Sequence, residues 1–206
     1  MDEKNYTGAI PPQQEGVPID TSSEKEFDTV GEARTFFQTA RTRLLDVNKW
    51  GEYAGGLSAD FQLVDGSGNE VTGPVQKGYR FKIDIPGPGT QSGDGYDWVE
   101  VEALEEVTTD EVESLAIRVR PTEVSDSDQP DVAHFYSRDS TSTFTVTREG
   151  KKITVAIYDR NTKPNTEAES TLDKIRDAVV GAAGIISFSR IQWKSLAEGI
   201  LNDGNV

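Results

Sequence analysis

The sequence predicts an α+β chain: a curved antiparallel sheet of about seven strands gripped by one long C-terminal helix, with one or two helices near the N-terminus. Three observations carry this prediction. Ser170 to Asn202 has apolar residues at helical spacing, Leu57 to Asp159 alternates with a period of two, and a capped amphipathic run opens at Thr29.

In chain order, residues 1–27 are polar and punctuated by Pro11, Pro12, Gly16 and Pro18, which reads as an extended or mobile arm. Residues 28–206 then read as one domain, since no linker or repeat divides them. Thr29 and Glu32 have capping-box spacing, and Ala33, Phe36, Phe37, Ala40, Leu44 and Val47 recur as one helix stripe ending near Asn48. Trp50 to Tyr53 reads as a turn or short second helix closed by Gly55-Gly56.

The strands follow. Ala59, Phe61 and Leu63 alternate with polar residues, as do Phe81, Ile83 and Ile85, then Leu115, Ile117 and Val119, then Phe144 and Val146, and finally Ile153, Val155 and Ile157. One apolar and one polar face per strand is the pattern of an antiparallel sheet buried on one side. In Tyr96 to Val107, Val99, Val101 and Ala103 share one face while Tyr96, Trp98, Glu100 and Glu102 share the other, with room for a bulge. Arg80, Lys82, Arg118 and Arg120 lie on polar strand faces, where Glu100 and Glu102 are the expected cross-strand partners.

The final helix carries Leu172, Val179, Ile186, Trp193 and Ile200 at seven-residue intervals. Arg190 falls inside the same arc, so it is expected to have a carboxylate partner or to face a wet cavity, either as a snorkelling or ion-paired structural residue or as an anchor for an acidic or carbonyl ligand. The opposing side carries Gly181, Gly184, Phe188 and Ile191, so either Gly181 to Gly184 kinks or breaks the helix and shifts its phase, or something covers this region as well.

Composition narrows the function classes. With 36 acidic against 21 basic residues the net charge is -15, which repels phosphate backbones and argues against nucleic acid. There are no cysteines, so disulfides, thiolate metal sites and cysteine nucleophiles are excluded. No apolar run approaches the ~18 residues of a membrane span and no leader pattern opens the chain, so a cytoplasmic protein is expected. The Gly87 to Gly95 loop lacks the Lys-Ser/Thr ending of a phosphate cradle. His134 is the only histidine, which rules out a multi-histidine metal site and leaves it as a strand residue or a pocket acid/base. Asp126, Asp128 and Asp131 cluster without the glycine and glutamate of a calcium loop, so neither metal nor cofactor is expected.

The order of helix, short turn, strands and long C-terminal helix, with Leu44-Leu45-Asp46-Val47 leading to Trp50, resembles the START-like helix-grip superfamily of polyketide cyclases and pollen-allergen-type lipid binders. That superfamily begins with a strand, for which Gly16 to Phe27 is the candidate. The resemblance implies a cavity between sheet and long helix for an apolar or amphipathic small molecule. The residues expected to line it are Trp50, Tyr53, Phe61, Trp98 and His134, followed by Tyr136, Ile186, Arg190 and Trp193, with Pro86 to Gly95 as the entrance. Two alternatives remain: a cyclase or hydratase using His134 or a buried acid, and a protein-interaction domain with a filled core.

Overall fold

The computed structural model describes residues 3–55, 59–84, 96–123, 136–163 and 179–204, and of 179–189 it describes the backbone only. Helix α1 (Val30–Leu45) starts at the expected box: the Glu32 amide donates to Thr29 Oγ1 at 3.1 Å and the Thr29 amide to Glu32 Oε2 at 3.0 Å. Ala33, Phe37, Ala40 and Leu44 form its buried stripe. A 3-10 turn over Val47–Lys49 leads into α2 (Trp50–Tyr53), where the buried Trp50 indole donates to the Leu44 carbonyl at 3.1 Å.

Seven strands form one antiparallel sheet: β1 (Val17–Glu26), β2 (Asp60–Val64), β3 (Arg80–Asp84), β4 (Asp97–Thr108), β5 (Val112–Pro121), β6 (Thr141–Glu149) and β7 (Lys152–Thr162). Their spatial order is β1-β7-β6-β5-β4-β3-β2. Helix α3 (Val179–Ile200) lies across the sheet and runs through Gly181 and Gly184 without a break, one of the two possibilities left open there. This is the helix-grip arrangement. The expected helix start, residues 170–178, lies outside the described residues.

Two points become definite at the residue level. Residues 17–26, which composition reads as part of an arm and the resemblance as the first strand, are strand β1 and pair with β7 from Glu26↔Lys152 to Val17↔Thr162. Gly16 enters that strand at φ +72°, so close to β7 that a Cβ there would sit 2.3 Å from the Thr162 carbonyl oxygen. The bulge in β4 falls between Val101 and Ala103, leaving Glu102 unpaired in the register and free to hold both Arg118 and Arg120. Arg80 pairs with Glu100 as expected, at 3.6 Å, while Lys82 takes Glu70 instead.

The inner face of the sheet meets the helices through one core that includes Leu44, Trp50, Phe81, Ile117, Val155 and Ile200. At the end bearing the Asp110 and Gly150 turns it is closed by α1 and by a buried ion pair, Arg148 with Glu113, whose guanidinium also donates to the carbonyls of Gly150 (2.9 Å) and Asp110 (3.2 Å). The outer face of β6 and β7 is covered by residues 3–16: Ile10 packs on Ala156 and Tyr158, the Lys4 amide donates to the Tyr158 hydroxyl at 3.0 Å, and Arg160 binds Glu3 at 2.7 Å.

Candidate functional site

Period-two alternation along β7 places Ile153, Val155 and Ile157 in the core, and the next residue in that phase is Asp159. An acid therefore stands among apolar neighbours, opposite Ile19 of β1 and Ser142 of β6, with 1% of its surface exposed. Trp193 of α3 donates its indole Nε1–H to Asp159 Oδ2 at 3.2 Å. Asp159 Oδ1 has no hydrogen bond of ordinary geometry from any described residue. Burial pushes the Asp159 carboxyl up to about 6; Ser142, Trp193 and Arg160 pull it down, without cancelling the loss of hydration.

Helix α3 fixes where this acid sits. Lys194 donates to the Ser22 carbonyl at 3.0 Å, and Lys25, one turn of strand further on, binds Asp203 just past the helix end. The helix and β1 therefore run in the same direction, so residues 179–192 extend about 20 Å beyond Trp193, back toward the Asp159 end of the sheet. That end lies opposite the one closed by α1 and Arg148.

The expected lining residues separate into groups. Trp50, Phe61 and Trp193 are brought together with Phe81 and Phe144. Trp50 lies 5.4 Å from Phe61 and 4.6 Å from Phe144, and Trp193 lies 5.1 Å from Phe144 and 6.4 Å from Phe61. Such spacings are ring-on-ring packing, so Trp50 (0% exposed) is core and does not face an open cavity. Tyr53 packs half-buried at the margin of the same core, beneath the Arg43 guanidinium. Tyr136 stands half-buried just before β6.

Trp98 does not join them. Val99 and Val101 face the core, so Trp98 between them in phase points to the opposite face, across from Lys82. Arg190 is exposed. With Gln192, Leu196, Ala197 and Ile200 buried, the inner side of α3 is centred roughly 100° around the helix from Arg190, so the guanidinium emerges into solvent rather than beneath the helix. His134, the Asp126–Asp131 cluster and the Pro86 to Gly95 loop lie outside the described residues, as does the Ile186 side chain.

Asp159 is not among the residues expected at the site, although the sequence marks it as an acid in phase with Ile153, Val155 and Ile157. Asp97, in phase with Val99 and Val101, and Arg148, in phase with Phe144 and Val146, carry the same signal and are also buried. Among the described residues, no three His, Asp or Glu side chains are grouped to hold a metal ion, and no helix is long and apolar enough to cross a membrane.

No protein-family model and no curated protein matches the chain. Among solved structures it is similar to a hypothetical protein from Helicobacter pylori, at 12% identity over 87% of this chain and 86% of that one, with a TM-score of 0.43. It is also similar to a major latex-like protein from Panax ginseng, at 12% identity over 85% of this chain and 95% of that one, with a TM-score of 0.35. A third is norcoclaurine synthase from Thalictrum flavum, solved with dopamine and hydroxybenzaldehyde, at 10% identity over 96% of this chain and 98% of that one, with a TM-score of 0.37. At these scores the likenesses carry no functional inference. The helix-grip description rests on element order and register.

Proposed function

We propose that the chain binds an apolar or amphipathic small molecule between the inner face of the sheet and α3, at the Asp159 end. The observation that supports this most is Asp159 Oδ1, buried among apolar groups without a hydrogen bond from the described residues. A filled apolar interior would leave the desolvation cost of that oxygen uncompensated, whereas a bound molecule with a donor offsets it. Because the aromatic cluster at Trp50 is packed, the proposed site is put on the other side of Trp193, where an indole edge and a carboxyl would give an apolar ligand its few orienting polar groups. Calorimetric titration with 2-naphthaleneethanol is the test. Saturable uptake of one molecule per chain, weakened at least tenfold in Trp193→Ala, is expected; no heat of binding from a folded chain would overturn it.

A second reading has one specific support. A carboxyl lifted to about 6 exchanges its proton near neutrality, which suits a cyclase or hydratase that moves protons in the same space. Under that reading Asp159→Asn abolishes turnover while binding of the neutral probe persists.

A further inference from the structure

We infer that the polar head of the bound molecule is a protonated amine, held by Asp159 against the edge of Trp193. This rests on the binding reading above and adds the chemical class of the ligand. An ionised carboxylate only accepts hydrogen bonds, and here Oδ2 receives the Trp193 indole N–H, the Ser142 hydroxyl also favours the charged form, and Oδ1 has no hydrogen bond of ordinary geometry from the described residues. A hydroxyl head would donate one bond and leave the charge uncompensated; an ammonium supplies both donor and countercharge.

The chain does not supply that countercharge from the described residues packed around the acid. From β1 the neighbour is Ile19, from β6 it is Ser142, and from α3 it is Trp193. Arg160 follows Asp159 in sequence but points to the outer face, where Asp20 and Glu3 bind it; its guanidinium donates to the Asp159 backbone carbonyl at 3.0 Å, and it acts on the Asp159 carboxylate through its field, which Asp20 opposes. Lys194 is turned to the Ser22 carbonyl and Ser23 hydroxyl of β1, and Arg190 is exposed. The wider field acts in the same sense, since a net charge of -15 draws organic cations toward the chain and repels organic anions.

The experiment compares three probes with one body: 2-naphthaleneethylamine, 2-naphthaleneethanol and 2-naphthaleneacetate, titrated calorimetrically into the full chain at pH 7.5. The amine is expected to bind at least tenfold more tightly than the acetate and more tightly than the alcohol. In Asp159→Asn the amine should lose at least tenfold more affinity than the alcohol, because the amide oxygen still accepts a hydrogen bond but carries no charge. In the native chain, acidification to pH 5 protonates Asp159 and should weaken the amine about tenfold while the alcohol holds, which keeps the test available should Asp159→Asn not fold. Alcohol and acetate binding as well as the amine, or an amine affinity indifferent to both Asp159→Asn and pH, overturns the amine assignment and leaves the binding reading standing. Failure of all three probes overturns both.

Discussion

At the scale of single residues, Asp159 costs the fold stability. Its carboxyl is raised from 3.8 to about 6, so the folded chain holds that proton more tightly than the unfolded chain does. Between those values the folded state binds more protons, and stability falls as pH rises, with the full penalty present above about 6 and absent below about 4. Two units correspond to on the order of 3 kcal/mol. Asp159→Asn is therefore expected to stabilise the empty chain at pH 8 by about 1–3 kcal/mol and to leave it nearly unchanged at pH 4. Urea unfolding at the two pH values reads this directly, and equal effects at both would show that the acid is not buried in its charged form. Arg148 is the contrasting case: equally buried, but with Glu113 and two carbonyls around it, it has its partners within the fold.

At the scale of elements, what the sequence revealed and what it hid divide along the kinds of contact each element makes. The α1 start at Thr29, the period of β5, β6 and β7, and the α3 cover follow from spacing within one segment, and spacing is readable. β1 was obscured because Val17 to Glu26 is mostly polar with only Ile19, Thr21 and Ser23 turned inward; its strand character comes from pairing with β7, more than 120 residues away. Arg190 was misplaced because a helix arc drawn from apolar residues alone ignored the buried Gln192, which moves the inner side away from it. Trp98 was assigned to the cavity on aromatic character against its own phase. The contact between α2 and α3 was invisible for another reason: it needs the absence of a side chain. A Cβ on Gly199 would lie 1.8 Å from the Tyr53 carbonyl oxygen, so the helix closes on α2 only with glycine there. Gly199→Ala should lower stability by about 1–3 kcal/mol through forced displacement of α3, seen as a lower urea midpoint with an unchanged slope.

At the scale of the whole molecule, the two faces of the sheet are finished differently. The inner face is packed around Trp50 and Phe144 and ends at the buried Asp159, while the outer face of β6 and β7 is covered by residues 3–16. That segment is held by backbone and side-chain bonds rather than by a core of its own: Asn161, at φ +56°, accepts from the Gln14 and Glu15 amides, and Arg118 donates to the Ala9 carbonyl at 3.0 Å. Removing residues 1–16 uncovers Ile10's partners Ala156 and Tyr158, and is expected to cost at least about 2 kcal/mol. Because the outer face does not line the proposed site, the truncated chain should keep its affinity for 2-naphthaleneethanol.

The most direct measurement is the carbon-13 titration of the Asp159 carboxyl in the intact chain, with and without 2-naphthaleneethylamine. A buried acid awaiting an organic cation titrates near about 6 when empty and drops toward the ordinary carboxylate range when the amine is bound. An inflection near 4 that does not move on adding the amine would contradict the account.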